Sequence, residues 1–221
     1  TPMGTNPGIS LTDQAYRTLE ALIVTLQIAP GAVISEGELC TRSGFGRTPV
    51  REAIQRLAQQ RLVSILPRRG MFVTDINVET QLHLLEFRRE VEDLMVRLAA
   101  RRRTGAEAVR FTEIATAMDQ AAATGDDAGF MILDQQFNEL LGATCRNPFA
   151  QRSMEHWNPL SRRFWYQHHQ SVGDLPQMAR LHADLAWTIA AGEPGAAGQA
   201  SDLLITYLAS FTRAALEARV A

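Results

Sequence analysis

The sequence contains no lysine, and all 22 of its basic residues are arginine. Arginine binds phosphate and carboxylate groups through two parallel donors, so the bias favours such partners, although genomic base composition also produces it. Cysteine is nearly absent too: Cys40 and Cys145 stand alone and form no CxxC pair. This excludes a disulfide scaffold and predicts a protein of the reducing cytoplasm.

Long apolar runs are also missing. None approaches the roughly 18 to 20 residues of a membrane helix, so no membrane association is predicted. Residues 1 to 10 are rich in Pro, Gly and Thr without a signal-peptide pattern, which predicts a disordered tail. The remainder of the 221 residues is long enough for two domains.

The strongest local signal runs from Glu38 to Gly70. Its start predicts a short helix, which Gly44 and Gly46 interrupt with the positive φ angles of a tight turn. A second helix is predicted from Thr48, whose hydroxyl would cap it, with Pro49 at its first position. Two helices joined across a Gly-containing turn predict a helix-turn-helix.

The second helix has an apolar side and a basic side. Helical spacing on the apolar side joins Val50, Ile54 and Leu57. The residues expected to project away from it are Arg47, Thr48 and Arg51. Between residues 42 and 70, seven arginines stand against one acid, on a chain of net charge −2. A basic patch on a mildly acidic protein is typical of phosphate-backbone binding.

Two short β-prone runs, 62–66 and 71–74, follow the second helix and predict a wing with arginines at its tip. The predicted DNA contacts are Arg42, Arg47, Thr48, Arg51, Arg68, Arg69 and Gly70. From the residues alone, a solvated basic face on a chance helix-turn-helix is the alternative.

This region resembles the winged helix-turn-helix of GntR-type bacterial transcription regulators. The motifs that carry the resemblance are Ser35-Glu36-x-Glu38-Leu39, Gly46-Arg47-Thr48-Pro49-Val50-Arg51-Glu52-Ala53, Leu57, Leu62-Val63 and Pro67-Arg68-Arg69-Gly70-x-Phe72-Val73. The resemblance implies a homodimer on a pseudo-palindromic operator in double-stranded DNA, with one recognition helix in each major-groove half-site. Family members often carry an arginine immediately before Glu38; Gly37 stands there, so one expected contact is absent.

Strand signals end near residue 78. Helical periodicity and breakers predict six helices at about 79–103, 106–123, 127–144, 148–170, 175–191 and 196–219. Short connections between them predict an antiparallel bundle. The predicted fold class is therefore mainly α, with a winged helix-turn-helix at 11–74, a linker at 75–78 and an all-helical domain at 79–221.

One group of polar residues in the bundle could carry chemistry: Arg88, Glu92, Asp134, Asn138, His182 and Tyr207. Arg88 and Glu92 are spaced i, i+4, as are Asp134 and Asn138, so each pair shares a helix face. Polar groups on inward faces of a bundle form ligand sites. The alternatives are a surface ion pair, solvent-facing polar groups and a structural histidine.

The second half resembles the FCD effector domain of the FadR-like branch of the GntR family. The motifs are Phe87-Arg88-x-x-Val91-Glu92, Asp134-x-x-Phe137, Asn147-Pro148 and the His182…Ile189-x-x-Gly192 segment. The resemblance implies that Arg88 meets the carboxylate of a small organic acid. The other predicted effector residues, Asp134, Asn138, His182 and Tyr207, come from the polar group described above.

The resemblance also implies a divalent metal, zinc or nickel, held by an aspartate, a histidine four residues on and two further histidines. Asp134 and His182 match this pattern. Asn138 replaces one histidine, and the last position falls near Leu204, where no ligand exists. The predicted metal set of Asp134, Asn138 and His182 is thus incomplete, which leaves only a weak site completed by water or effector.

The sequence thus predicts a cytoplasmic, ligand-responsive DNA-binding regulator, a homodimeric repressor and not an enzyme. Three alternatives remain open. The bundle could be only a dimerisation scaffold on a constitutive DNA-binding protein. It could be a metal-dependent hydrolase that uses Asp134 and His182. The winged helix could bind protein instead of DNA.

Overall fold

The computed structural model describes residues 10–66, 68 and 70–220 of the chain. No helix in those ranges combines the length and apolarity that a membrane span requires. The chain divides into two compact units, the first made of residues up to Asn77 together with Trp157–Gln167. The second contains Val78–His156 and His168–Ala221. The chain therefore returns to the first unit at Trp157–Gln167, whereas the sequence predicted a single crossing at the linker 75–78.

The first unit is a winged helix. Its elements are α1 (Leu11–Val24), β1 (Val33–Ile34), α2 (Glu36–Ser43), α3 (Arg47–Gln59), β2 (Val63–Leu66) and β3 (Gly70–Val73). The strands form an antiparallel sheet in the order β1-β3-β2. Its core buries one side of each helix, through residues that include Leu19, Ile23, Leu39, Val50 and Leu57. Strand β1 was not predicted, because its two residues are too few to show an alternating pattern.

Local capping explains the turn between α2 and α3. The Ser35 hydroxyl accepts from the Glu38 amide at 3.2 Å and starts α2. Gly44 ends it in the left-handed region, at φ +76°. Two details of the sequence prediction are wrong: Gly46 has an ordinary φ of −71°, and it precedes α3 without any side-chain cap. The helix starts at Arg47, so Thr48 lies inside its first turn and does not cap it.

Trp157–Gln167 belongs to the first unit through buried arginine contacts. Arg163 is 2% exposed and donates to the Thr74 carbonyl at 3.0 Å and to the Thr74 hydroxyl at 3.1 Å. Arg162 donates to the carboxylate of Glu20 on α1 at 3.1 Å. A buried guanidinium that lost its hydrogen-bond acceptors would be left without partners away from water, which costs free energy. These bonds therefore hold Trp157–Gln167 in the first unit.

The second unit is all-helical, as predicted. It contains α4 (Val78–Arg102), α5 (Gly105–Thr124), α6 (Asp127–Cys145), the ends of α7 (Pro148–Val172), α8 (Leu175–Ala191) and α9 (Pro194–Val220). Side-chain caps start α5 at Thr104 and α6 at Asp126, the first as a capping box with Glu107. Helix α4 packs against α6, α8 and α9, and α5 against α6 and α8. Helix α8 therefore lies centrally in this unit, in contact with α4, α5, α6 and α9.

Candidate DNA-binding face and effector site

Helix α3 separates its apolar and basic sides as the spacing predicted. Val50, Ile54 and Leu57 are at most 2% exposed. Arg47, Thr48 and Arg51 are exposed on the surface of the first unit. An exposed N-terminal half of the second helix is the part that contacts bases in a helix-turn-helix protein.

Arg51 is held by a carboxylate from the preceding helix. Its Nε donates to Oε2 of Glu36 and its Nη2 to Oε1, each at 3.1 Å. The hydrogen bond from Arg51 lowers the pKa of Glu36 and, reciprocally, raises the pKa of Arg51. Such a two-bond contact fixes the orientation of a guanidinium as well as its place.

Two other arginines of this unit are also paired. Arg42 contacts Glu38 at 3.1 Å and donates to the Gln27 carbonyl at 3.1 Å. Arg56 donates to Asp13 at 3.1 Å and lies 3.7 Å from the centroid of the Tyr16 ring. These pairings were missed by the charge count, because Glu38, Glu36 and Asp13 all precede residue 42.

Arg47 differs from its neighbours. It makes no hydrogen bond or ion pair with any residue of the described ranges, and it is exposed at the start of α3. All five of its N–H donors therefore face solvent. This leaves Arg47 as the arginine of α3 whose full donor set is open to a nucleic acid.

The wing is a hairpin of β2 and β3, paired from Val63↔Val73 to Leu66↔Gly70. Arg68 and Gly70 have positive φ angles of 65° and 92°, so the tip turns tightly. Arg68 is exposed. Arg69 lies outside the described residues.

In the second unit, Asp134, Asn138 and His182 come together. His182 Nε2 lies 3.3 Å from Asp134 Oδ1. Asn138 donates from Nδ2 to the Asp134 carboxylate at 3.0 Å and to its backbone carbonyl at 2.8 Å. Asp134 and His182 are 8% and 3% exposed, so they are neither solvent-facing nor on the surface.

Two aromatic rings surround this cluster. His182 packs edge-to-face with Phe130 at 5.3 Å and with Phe137 at 6.2 Å between centroids. Its Nδ1 lies 2.9 Å from the Met178 carbonyl, which orients the ring and leaves Nε2 toward Asp134. Phe130 was not predicted to contact His182. It lies one helical turn before Asp134, and an apolar residue at that position does not indicate such a contact in the sequence.

Arg88 and Glu92 form a buried ion pair on α4. They are 7% and 4% exposed, and Arg88 Nε lies 2.5 Å from Glu92 Oε1. The alternative of a surface pair is therefore wrong. Only Nε of the guanidinium bonds to Glu92, so its Nη donors make no hydrogen bond within the described ranges.

Tyr207 is placed differently from the other predicted effector residues. Its hydroxyl accepts from the Asp174 amide at 3.1 Å and donates to the Asp174 carbonyl at 3.2 Å. Both groups belong to the residue that caps α8. The tyrosine thus has a local structural contact at a helix start.

The residues around His182 supply two strong metal ligands. A nitrogen and an oxygen 3.3 Å apart suit one ion bound at about 2.0–2.2 Å from each. Asn138 turns its Nδ2 toward Asp134, and Leu204 is buried hydrocarbon. Among the residues described, no three His, Cys, Asp or Glu side chains group closely enough to hold an ion. The set falls short of the three or four ligands that a protein-held zinc needs.

A shallow open groove runs elsewhere, between α5 and α6. Its lining includes Thr112, Thr116, Gln120, Thr124, Ile132 and Leu133, together with the acids Glu113 and Asp126. None of the predicted effector residues lines it, and it has no basic group. It is therefore unsuited to an organic acid.

Comparisons with known proteins agree with this architecture. The model of bacterial regulatory proteins of the gntR family matches residues 11–73, and the FCD domain model matches residues 83–206. The HTH-type transcriptional repressor RspR of Escherichia coli (strain K12) is 29% identical over 180 residues, covering 81% of this chain and 79% of that protein.

Two solved structures share the fold. The E. coli McbR/YncC structure superposes with a TM-score of 0.76 at 20% identity, over 93% of this chain and 98% of that one. A structure titled as a transcriptional regulator GntR from Rhodococcus sp. RHA1 gives a TM-score of 0.68 at 27% identity, over 95% and 99%. With a helix-turn-helix that exposes arginines and a helical unit matched over most of its length, this chain belongs to the GntR family of DNA-binding transcription regulators and carries an FCD domain.

Proposed function

We propose that the protein is a homodimeric repressor whose affinity for a pseudo-palindromic operator is changed by a small organic acid bound in the helical unit. The single observation that carries the DNA-binding part is the exposed start of α3. There Arg47 makes no hydrogen bond or ion pair within the described ranges, and Arg51 is oriented by Glu36. These two arginines would contact bases or phosphates, and Thr48 would bond a phosphate.

The effector part is supported by the buried polar groups of the second unit. Arg88, Asp134 and His182 lie in a helical interior whose other neighbours are largely apolar. Each of them is paired within the protein, and polar groups on the inward faces of a helical unit are where ligand sites form. The unused Nη donors of Arg88 match an effector carboxylate.

The dimer part is supported by an apolar stripe on α4. Phe87, Val91, Leu94 and Leu98 recur at helical spacing along one face. Phe87 is 37% exposed and Leu94 45%, unlike the buried apolar residues of the opposite face. A row of half-exposed apolar side chains is typical of a helix that packs against another protein. Repression is proposed from the name of the relative RspR, a transcriptional repressor.

Operator selection tests the DNA-binding part. Purified protein is incubated with a randomised DNA library, and the bound fraction is sequenced over repeated rounds. We expect two inverted half-sites about one helical turn apart, and a loss of binding to them on Arg47→Ala. Enrichment of no sequence, or binding that Arg47→Ala leaves unchanged, would contradict the proposal.

Thermal unfolding tests the effector part. Chelator-treated protein is heated with small carboxylic acids, with zinc or nickel, and with both, because a ligand of the native state raises Tm by mass action. We expect one acid to raise Tm and to alter operator affinity. Arg88→Gln, which keeps a donor for Glu92 but removes the charge, should abolish both effects.

Arg89→Ala is the matched control, since Arg89 pairs with Asp202 on the outside of the same helix. A rise in Tm with zinc or nickel alone would favour a metal site despite Asn138. No response to any acid or metal would favour the second candidate, a constitutive DNA-binding protein with a scaffold domain, which the existing Arg88–Glu92 pair also allows.

A further inference from the structure

The contact between Glu36 and Arg51 uses only one edge of the guanidinium. The carboxylate accepts from Nε and from one hydrogen of Nη2, both at 3.1 Å. A guanidinium has five N–H donors in a rigid plane. The opposite edge, formed by Nη1 and the second hydrogen of Nη2, is left with two parallel donors. The Arg51 side chain is 66% exposed and that of Glu36 only 28%, so the open edge faces outward.

We propose that Glu36 is a positioning residue for sequence readout, holding Arg51 so that its open edge meets the O6 and N7 atoms of a guanine. This rests on the proposed role of α3 in the operator. Two parallel donors match the two acceptors that guanine presents in the major groove. A fixed plane also suits a bidentate phosphate contact, but such a contact carries no sequence information, so discrimination between sequences separates the two roles.

The charge of Glu36 supports readout over simple attraction. A carboxylate near the DNA backbone is repelled by phosphates and weakens binding to any sequence. In DNA binding, such a carboxylate helps only where orientation matters more than charge. Glu36 therefore lowers affinity for random DNA while it favours the base pair that fits the fixed guanidinium, which is discrimination by differential binding.

The Arg42–Glu38 pair provides an internal comparison. It lies on the same helix, also at 3.1 Å, but it joins Arg42 Nε to Glu38 Oε1 and spans one helical turn. Arg42 is tied back to the Gln27 carbonyl as well. Glu38→Gln thus removes the same charge as Glu36→Gln without releasing an arginine of α3.

The experiment measures the ratio of affinities for the selected operator and for random DNA, by fluorescence anisotropy at one salt concentration. Full-length protein is used with Glu36→Gln, Glu36→Asp, Glu38→Gln, Arg51→Ala and the double variant Glu36→Gln/Arg51→Ala. We expect Glu36→Gln to lower the ratio about tenfold, the scale of one bidentate base contact. Affinity for random DNA should hold or rise.

Each control separates one explanation. Glu36→Asp keeps the charge but is one methylene shorter, so it should lower the ratio like Glu36→Gln if geometry matters. Glu38→Gln should change both affinities by the same factor. In the Arg51→Ala background, Glu36→Gln should leave the ratio unchanged, because the arginine that it positions is gone.

Two results would overturn the inference. One is an unchanged ratio in Glu36→Gln, and the other is an equal fall of the ratio with and without Arg51. A wild-type ratio in Glu36→Asp would also overturn it, since charge alone would then suffice. If wild-type protein enriches no DNA sequence at all, the proposed operator binding fails first, and this inference fails with it.

Discussion

The two units differ in what their arginines contact, although Arg42 and Arg163 of the first unit also donate to backbone carbonyls. In the winged helix, Arg47 and Arg68 are exposed, and Arg51 keeps one edge of its guanidinium open. In the helical unit, arginines bond to backbone carbonyls at helix ends. Arg102 donates to the Cys145 carbonyl at 2.7 Å, and Arg103 donates to that of Ala190 at 2.6 Å.

This difference shows what distinguishes a nucleic-acid face from a basic composition. Both units contain many arginines, and neither contains lysine. The last carbonyls of a helix lack partners inside the helix, and a guanidinium satisfies them well. An arginine used in this way has few donors left for phosphate. Unused donors grouped on the second helix of the helix-turn-helix and on the wing, rather than the count of positive charges, therefore distinguish the candidate DNA-binding face.

The largest effect should come from the buried pair of α4. Arg88→Ala leaves the Glu92 carboxylate without its partner in the interior, which should cost about 3–5 kcal/mol of unfolding free energy. Urea denaturation followed by circular dichroism measures it. Arg89→Ala, which breaks the more exposed pair with Asp202, should cost less than about 1 kcal/mol.

A double variant checks the cause. Arg88→Met with Glu92→Leu removes both charges and keeps apolar volume, so it should recover most of the lost stability. If Arg88→Ala lowers the unfolding free energy no more than Arg89→Ala does, the burial of the Arg88–Glu92 pair does not contribute to stability. The difference in arginine use between the two units would then be smaller than proposed.

The next effect concerns an arginine with open donors. Arg47→Ala should weaken operator binding by tenfold or more, since the DNA contact proposed for Arg47 would be lost. Tm should not change, because Arg47 bonds to nothing in the described ranges. Arg110→Ala, an exposed and unpaired arginine of α5, is the control and should leave DNA affinity unaltered.

A smaller effect should come from adding an arginine. A Cβ at Gly37 would meet nothing within 4 Å, so Gly37→Arg fits on the surface of α2. Because GntR-type regulators often carry arginine there, operator affinity should rise, by about threefold to tenfold. Gly37→Ala gains the same helix propensity without the charge. Equal affinities of the two variants, measured by anisotropy, would remove position 37 from the DNA-binding face.

The smallest effect concerns Glu107, where arginine and a capping box meet. Burial alone would raise its pKa, but hydrogen bonds from the Thr104 amide, Arg146 and the Thr104 hydroxyl lower the pKa to about 2. A carboxylate with a lowered pKa stabilises the fold fully above its unfolded value near 4.5. That contribution is lost as the pH falls from there to about 2.

Glu107→Gln should therefore cost up to about 1 kcal/mol at pH 7 and progressively less between pH 4.5 and the folded pKa near 2. Urea unfolding at pH 7, 5 and 3 measures the difference between variant and wild type. Glu113→Gln, at an exposed position of the same helix, should show no such trend. A difference that grows on acidification would have the wrong sign and would contradict the assignment.

Local signals determined much of the fold. The bounds of α8 follow from the sequence alone, since Asp174 and Pro176 start it and Gly192 stops it. The wing register follows from the short loop, and the apolar side of α3 from helical spacing. The sequence did not give the start of α3. This helix begins at Arg47 after Gly46, which has no side chain to cap it and so gives no capping signal in the sequence.

The candidate site was predicted in part. Asp134 and Asn138 share a face because they are four residues apart, and a periodic pattern shows this directly. That His182 joins them from another helix came from a family resemblance, and the structure places its Nε2 3.3 Å from Asp134. The sequence did not decide whether Arg88 is buried or exposed, because the i, i+4 spacing of Arg88 and Glu92 is the same on a buried and on an exposed face of a helix.

The sequence by itself determined the family, the order of elements and the side of each helix that is apolar. These depend on residues within one or two turns of each other, and spacing records them. Only the tertiary structure decided which partner each charge has. Glu36 meets Arg51 across 15 positions, and Arg163 meets Thr74 across 89. Contacts between distant segments leave no periodic trace, because they depend on how elements pack and not on local preference.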